Sequence, residues 1–452
     1  MKVYFLIIFI LSNIFILSNM CNFSFAQKLD LKDIIDLGLK NNALIKSKYY
    51  NYQKSIFLEK ENFWNLFPKL SIEYKYFKQE EKKLTINTYL PVINENTPTS
   101  LVVPYSFSFT FLPSSFYTFN IMLKEVLSPT LYQAYRISKD IKDISFYEYK
   151  KVQNEIIYKI FKAYFEYQKS LALYELAQSY LNLTSHLYKD AKYLYKKGLI
   201  NKQDLLQSKY YYQKSIENLI KALNYRHISK KYLETLTNSK ISSIKVLKPT
   251  KLVSNILNIT LESENYYYKL AKKYNPIFKI FLKKTNIAYK KYELEKSKFI
   301  PNLFAFIGYT KTNQFEALGD TDYFSFGFGI SLEIGINNYQ SVLKKKKEIL
   351  KTMYENENIK NLIRLNINQT LYKLQNNIYQ IKTALAHLKL AKLVYKMENL
   401  RYKEGLCTSK DVHDAIKNIK EAEKNLAEGI FNYLINYYYL NYLTGYKLPK
   451  IY

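Results

Sequence analysis

Laid over itself with a shift of 207 residues, the chain repeats. Tyr195-Lys196-Lys197-Gly198-Leu199 falls on Tyr402-Lys403-Glu404-Gly405-Leu406, and Asp204 falls on Asp411. The same shift holds without a gap from about Ser128 to Thr237, pairing Gln168 with Gln375, Asn218-Leu219 with Asn425-Leu426, and Leu236-Thr237 with Leu443-Thr444. Upstream it becomes 233, because Asn42 meets Asn275 and Pro68 meets Pro301, so the first copy carries 26 extra residues between Pro68 and Ser128. The chain must therefore fold as two copies of one unit, the first with a longer outer loop whose tip lies near Asn94 to Ser100.

Each copy contains a stretch of 68 residues without glycine or proline, Thr130 to Lys197 and Asn337 to Glu404. As helices these would each run on the order of 100 Å. A heptad seam is visible in the first, Ile160, Tyr167, Tyr174, Leu181, Tyr188 and Tyr195, and the shift carries it to Ile367, Leu374, Ile381, Leu388, Tyr395 and Tyr402. Such spacing predicts a coiled coil, with looser packing where Gln178, Ser185 and Lys192, or Lys392 and Asn399, enter the alternate core position. Gly198 and Gly405 are placed to end the helices in the left-handed conformation, and Asp204 and Asp411 fall near the start of returning helices. The return helices are expected from about Gln203 to Thr237 and from Lys410 to Thr444, the second interrupted at Gly429. Shorter helices before the prolines, Asp30 to Asn65 and Glu262 to Phe299, would cover the rest of each long one. The expected organisation is a first repeat over residues 27–237, a linker over 238–261, a second repeat over 262–445 and a tail over 446–452.

Between the helices the period changes to two. Phe324, Phe326, Phe328, Ile330, Leu332 and Ile334 alternate with small or polar residues, as do Leu70, Ile72, Tyr74 and Tyr76, and Phe107, Phe109 and Phe111. A fourth strand, Leu303 to Thr310, alternates poorly. Lengths of roughly 9 to 11 residues suit a tilted transmembrane β-strand, though a soluble sandwich alternates identically. Aromatic crowding at Phe63-Trp64, Phe116-Tyr117, Phe119 and Tyr323-Phe324 favours the membrane, where such girdles sit at the interfaces. Four strands cannot close a barrel, and an open edge in lipid leaves backbone groups unpaired. A homo-oligomer follows from the membrane reading, and three copies would give twelve strands.

Lys2 and the apolar run Val3 to Leu17, followed by Ser24-Phe25-Ala26, have the form of a signal peptide over residues 1–26. A retained anchor is the open alternative. Beyond Cys21 only Cys407 remains, so the mature chain is held by packing without an internal disulfide. The four histidines are scattered, and no HExxH, CxxC, GxSxG or phosphate-cradling loop occurs. No catalytic, metal or cofactor site is expected. The formal charge of +30 comes from lysines spread evenly along the chain with only four arginines, which speaks against nucleic-acid recognition. The one dense run, Lys344 to Lys347, reads as a solvated helix face.

The duplicated order of strand hairpin and long helix, the turns Leu66-Phe67-Pro68-Lys69-Leu70 and Phe299-Ile300-Pro301-Asn302-Leu303, and the paired Gly-x5-Asp elbows resemble the TolC outer membrane efflux protein family. The resemblance covers essentially the whole mature chain. It implies an α+β membrane protein in which a long α-helical coiled-coil barrel continues into a transmembrane β-barrel, four strands per chain, completed by trimerisation. It also implies an outer-membrane location with a long periplasmic portion. The implied role is that of an exit duct in a tripartite efflux or type I secretion system, fed by an inner-membrane transporter through a periplasmic adaptor. By the same resemblance Gly198, Leu199, Gly405 and Leu406 are adaptor-docking tips, and Asp204, Tyr402, Asp411 and Asp414 constrict the periplasmic entrance. Asp411 and Asp414 are three apart and would stack two carboxylate rings about a three-fold axis, while Asp204 and Tyr402 would link hairpins by a hydrogen bond. For Asp204 and Asp411 simple helix capping stays open. Where the family's best-known member carries an arginine this chain has Cys407, so Lys403 or Lys410 would have to supply any cationic latch. An exported coiled-coil structural or adhesion protein is the competing expectation.

Overall fold

The computed structural model describes residues 29–92, 101–314, 320–404 and 406–446. The signal-peptide segment, the tip Asn94 to Ser100, Gly405 and nearly all of the C-terminal tail lie outside them. In chain order the elements are α1 (Leu31–Asn41), α2 (Ala43–Trp64), β1 (Lys69–Lys78), β2 (Lys82–Val92), β3 (Leu101–Leu112), β4 (Ser115–Leu127), α3 (Pro129–Lys196) and α4 (Lys202–Thr237). There follow α5 (Pro249–Leu257), α6 (Glu264–Tyr274), α7 (Pro276–Ser297), β5 (Asn302–Thr312), β6 (Thr321–Ser331), α8 (Ile336–Lys403) and α9 (Ser409–Thr444). The sequence repeat is thus a structural repeat: α1, α2, α3 and α4 have the same lengths as α6, α7, α8 and α9, namely 11, 22, 68 and 36 residues. The break in each short helix falls on Asn42 or Asn275, whose amide donates to the carbonyl of Leu236 at 3.0 Å or of Leu443 at 2.8 Å. One asparagine thereby stops a helix and ties it to the end of the return helix in both copies.

Two compact units make up the chain. The unit formed by residues 50–146 and 280–357 holds all six strands. Four of them form one antiparallel sheet in the order β1-β4-β5-β6, and β2 and β3 form a separate ribbon. Six strands therefore stand where four were expected. The expected second strand, around Phe107, belongs to the ribbon, and the sheet strand in its place is β4, which carries apolar residues on both faces and so lacks clean alternation. Register places Leu70, Ile72 and Tyr74 with Leu123, Ile121 and Phe119 on one face, together with Leu303, Ile307 and Tyr309 from β5 and Phe324, Phe326, Phe328 and Ile330 from β6. Apart from Glu125, and Lys311 and Asp322 at one end, this face is apolar on all four strands, and much of it is bare, Phe328 being 92% exposed.

The other face explains why β5 alternates poorly. Phe304 and Phe306 point to it and lie over Gly329 and Gly327 of β6, where an added Cβ would come within 2.4 Å and 2.8 Å of the rings. Glycine is required there to accept aromatic rings that the alternation rule would have turned outward. At the helix end of the sheet Phe63 packs against Trp64, Phe67 and Tyr135 with ring centroids 5.1 to 5.7 Å apart. Below that cluster the helix segments are joined by charge. Asp140 is 3% exposed and binds both Lys283, at 3.0 Å, and Lys290.

In the other unit the buried heptad of the long helices is made of small residues. Ala163, Ser170, Ala177, Thr184 and Ala191 on α3 are each at most 5% exposed, and their repeat mates Thr370, Asn377, Ala384 and Ala391 are buried on α8. The return helices answer with Ser208, Ser215 and Ser229 on α4, and with Ala415, Ala422 and Gly429 on α9. Thr184 meets Ser215 across the seam at 2.8 Å. The heptad expected as the core is buried in the first copy near Ile160 and Tyr167 but gives way towards the tip, where Tyr195 is 39% exposed, while in the second copy Ile367, Leu374, Ile381 and the tip residue Tyr402 are all buried. Gly429 does not interrupt α9: it lets Ile381 approach, with a Cβ there only 3.1 Å from the Ile381 side chain. The linker is docked rather than loose. Gln168 donates to the Lys245 carbonyl at 2.6 Å and accepts from the Leu247 amide at 3.0 Å, and Ile256 of α5 is fully buried.

Candidate functional site at the hairpin tips

At the first elbow Gly198 adopts φ +72°, and the Leu199 amide donates back to the Leu194 carbonyl at 3.0 Å. That five-residue span is the Schellman closure, which satisfies a carbonyl left open by the helix end. The second elbow repeats it, with the Leu406 amide donating to the Arg401 carbonyl at 2.8 Å. Leu199 and Leu406 stand out from the elbows, 67% and 64% exposed. Two apolar side chains are thus presented in equivalent places with nothing from their own chain to cover them.

The carboxylates divide by role. Asn201 caps α4 by accepting from the Asp204 amide at 2.8 Å, which leaves the Asp204 carboxylate available. Ser409 of the second elbow lies against Asp204, its hydroxyl donating to the carbonyl at 3.4 Å and the carboxylate at 3.5 Å. Asp411 is committed to a capping box: its carboxylate accepts from the Thr408 amide at 2.9 Å and hydroxyl at 2.7 Å. Those bonds, the hydroxyl first, hold its carboxyl below the usual carboxylate range. Asp414 sits half-buried one turn further on. Among the described residues no hydrogen bond joins Asp411 to Asp414.

Within the chain Tyr402 makes no hydrogen bond to Asp204. Its ring is 8% exposed in a cluster with Tyr180, Val412 and Ile416, edged by Leu187, Leu194, Tyr395 and Cys407, and its hydroxyl has no hydrogen-bond partner. Burial, and then the charge of Asp204, raises that hydroxyl's pKa. Packing against the apolar faces of α3 and α9 has taken the ring away from the polar side of the elbow. No cationic latch between the hairpins is seen among the described residues. Arg401 pairs with Glu398 at 3.0 Å, and the Cys407 thiol donates to the Glu398 carbonyl at 3.3 Å, while Lys403 and Lys410 form no ion pair among the described residues.

His413 is the residue that sequence reasoning passed over. It is 1% exposed, stacks on Tyr211 of α4 with centroids 4.3 Å apart, and neither ring nitrogen has a hydrogen-bond partner. Burial pushes its pKa down to about 4. The repeat held one signal, since the mate of His413 in the first copy is Leu206. A neighbouring group, Lys420, is half-buried beside it. Lys420 places its ammonium 4.2 Å from the Tyr180 ring centroid, and burial lowers its pKa. Among the described residues no group of three or more His, Cys, Asp or Glu is placed to hold a metal ion, and no helix is long and apolar enough to cross a membrane.

No protein-family model and no curated protein matches the chain. Solved structures do. The outer membrane channel CmeC of Campylobacter jejuni is 16% identical over 92% of this chain and 85% of its own, with a TM-score of 0.73. The outer membrane protein VceC of Vibrio cholerae is 13% identical over 92% and 96%, with a TM-score of 0.71. The open state of the MtrE outer membrane channel of Neisseria gonorrhoeae is 14% identical over 92% and 89%, with a TM-score of 0.71. The chain has the fold of these proteins along nearly its whole length.

Proposed function

We propose that three copies of this chain form an outer-membrane exit duct of the TolC type, the β1-β4-β5-β6 sheets closing into one twelve-stranded barrel. The observation that carries this is the sheet itself: one face apolar on every strand but for Glu125 and, at one end, Lys311 and Asp322, the other polar or filled, and the outer edges of β1 and β6 without a partner strand among the described residues. In hydrocarbon an unpaired edge is untenable, so β6 must pair with β1 of a neighbour. Strand directions alternate along the sheet, and an even number per chain makes that junction antiparallel as well. The fold shared with three outer-membrane proteins supports the reading.

Substrate would arrive from an inner-membrane transporter through a periplasmic adaptor, for efflux or type I secretion. Leu199 and Leu406 suit the adaptor contact, with Gly198 shaping the first elbow and Gly405 its mate in the repeat. Asp204, Asp411 and Asp414, with Tyr402 behind them, would form the constricted entrance, Asp411 keeping its charge within its cap. A trimer extracted from outer membranes should migrate as a heat-sensitive species and conduct in planar bilayers, with di- or trivalent cations blocking it from the periplasmic side. Filaments without conductance would overturn the duct. Unchanged cation block in an Asp411→Ala, Asp414→Ala double mutant would overturn the assignment of the gate.

A further inference from the structure

The lysine run Lys344 to Lys347 is used neither by the barrel nor by the entrance. It lies on α8 eight residues after the helix begins at Ile336. Lys345 is paired with Glu348 at 2.6 Å, but Lys344, Lys346 and Lys347 are exposed and form no ion pair among the described residues. With Gln340, Leu343 and Leu350 they line an open cleft of about 440 Å³. Leu343 and Leu350 are themselves 41% and 46% exposed, so cations are interleaved with bare apolar surface. The repeat does not impose this. In the first copy the equivalent positions are Ile137, Ser138, Lys139 and Asp140, where Ile137 and Ser138 are buried and Asp140 is neutralised by Lys283 and Lys290.

Position along the chain says what the cleft meets. After β6 ends at Ser331, the exposed apolar residues Leu332, Ile334, Ile336 and Tyr339 come first, and the lysines follow. At 1.5 Å per residue Lys344 is about 12 Å along the helix from Ile336. Side chains on a helix lean toward its N-terminus, here back toward the sheet, which brings each ammonium roughly 6 Å closer to it. Apolar side chains, then leucine, then lysine within that distance is the order of a membrane interface, hydrocarbon first and headgroups next. We propose that Lys344, Lys346 and Lys347, flanked by Leu343 and Leu350, bind the phosphate of an anionic phospholipid in the leaflet that faces the helices. The site rests on the barrel reading given above.

The test uses the full trimer reconstituted in nanodiscs of equal phosphatidylethanolamine and phosphatidylglycerol, with retained lipid counted by native mass spectrometry. Wild type is expected to retain phosphatidylglycerol in preference, on the order of five-fold for each lysine engaged. A Lys344→Gln, Lys346→Gln, Lys347→Gln variant should retain both lipids equally, while Lys202→Gln with Lys209→Gln, two exposed lysines of α4, should behave as wild type. Undiminished preference in the triple variant, or none in wild type, would overturn the site alone. A chain that never inserts would overturn the duct and the site together. Inorganic phosphate stabilising wild type against heat as much as phosphatidylglycerol would make a soluble anion the occupant and would also overturn it.

Discussion

His413 shows how a single side chain can set the conditions under which the tips stay packed. A histidine titrates near 6.5 in an unfolded chain and here at about 4, so it is held neutral by burial. Because the folded value lies below the unfolded one, its contribution is complete above about pH 6.5 and is lost as pH falls from there through 4. By pH 5 the loss is about 2 kcal/mol. Hydrogen exchange of the first turns of α9 should therefore show protection falling roughly 30-fold between pH 7 and 5 in wild type. His413→Leu, which keeps an apolar body against Tyr211, should remove that pH dependence; if the fall persists in the variant, the ring is not its source. Asp411 acts in a different window. Its carboxyl is depressed, so its stabilisation is present above about pH 4 and vanishes only below, leaving the pH 5 comparison to His413. The cap itself is tested separately by Thr408→Ala, which should cost about 1 kcal/mol in the same protection measurement.

Element boundaries were legible to within a residue or two for the long and return helices, because the signals that set them are local. The first long helix stops where Gly198 permits a left-handed residue, and the return helices start where Asn201 and Thr408 cap them. The packing face of those helices was not legible in the same way. The expected heptad of Tyr, Leu and Ile is buried at Ile160, Tyr167, Ile367, Leu374, Ile381 and Tyr402, yet in the first copy the heptad of Ala, Ser and Thr three residues later stays buried all along while Tyr195 does not. An overpacking test follows. Ala177→Leu forces a branched side chain into a seam whose residue is 5% exposed and should cost about 1 to 3 kcal/mol, read from thermal unfolding in detergent, whereas Tyr195→Leu at an exposed heptad position should cost under about 0.5 kcal/mol. Equal effects would mean that the aromatic heptad carries the packing after all. The strands were legible only where one face is wet. β6 alternates cleanly, while β4 and β5 place Phe116, Met122, Phe304 and Phe306 on the inner face, a tertiary fit to glycine that no period of two can announce.

For the whole molecule, the faces of the sheet make the strongest demand. In the proposed barrel a charge at Phe326 of β6 would stand in hydrocarbon, at about 2 to 4 kcal/mol near the midplane, whereas one at Ser325 would point to the other face. Phe326→Lys should remove the heat-sensitive trimer from outer membranes and Ser325→Lys should leave it. The ribbon supplies a second demand, because it is a continuation of the sheet. Lys69 pairs with Lys124 and Ile86 with Phe107, so the two ladders keep one register, bridged where the Gln79 amide donates to the Ser114 carbonyl at 2.9 Å. The extra residues of the first copy have therefore lengthened one hairpin past the sheet instead of adding strands to it. The second copy has no such extension and still forms β5 and β6 to the same span. A barrel that needs only the paired lengths of β1, β4, β5 and β6 should then tolerate loss of the ribbon. Replacing Glu80–Pro113 by a Gly-Gly turn keeps Lys78 opposite Ser115 and should leave trimer formation and conductance within about two-fold of wild type, since long surface insertions cost little to add or remove. A variant that reaches the outer membrane but no longer forms trimers would show instead that the ribbons, with Ile86, Leu90, Val103 and Phe107 bare on one side, hold the copies together.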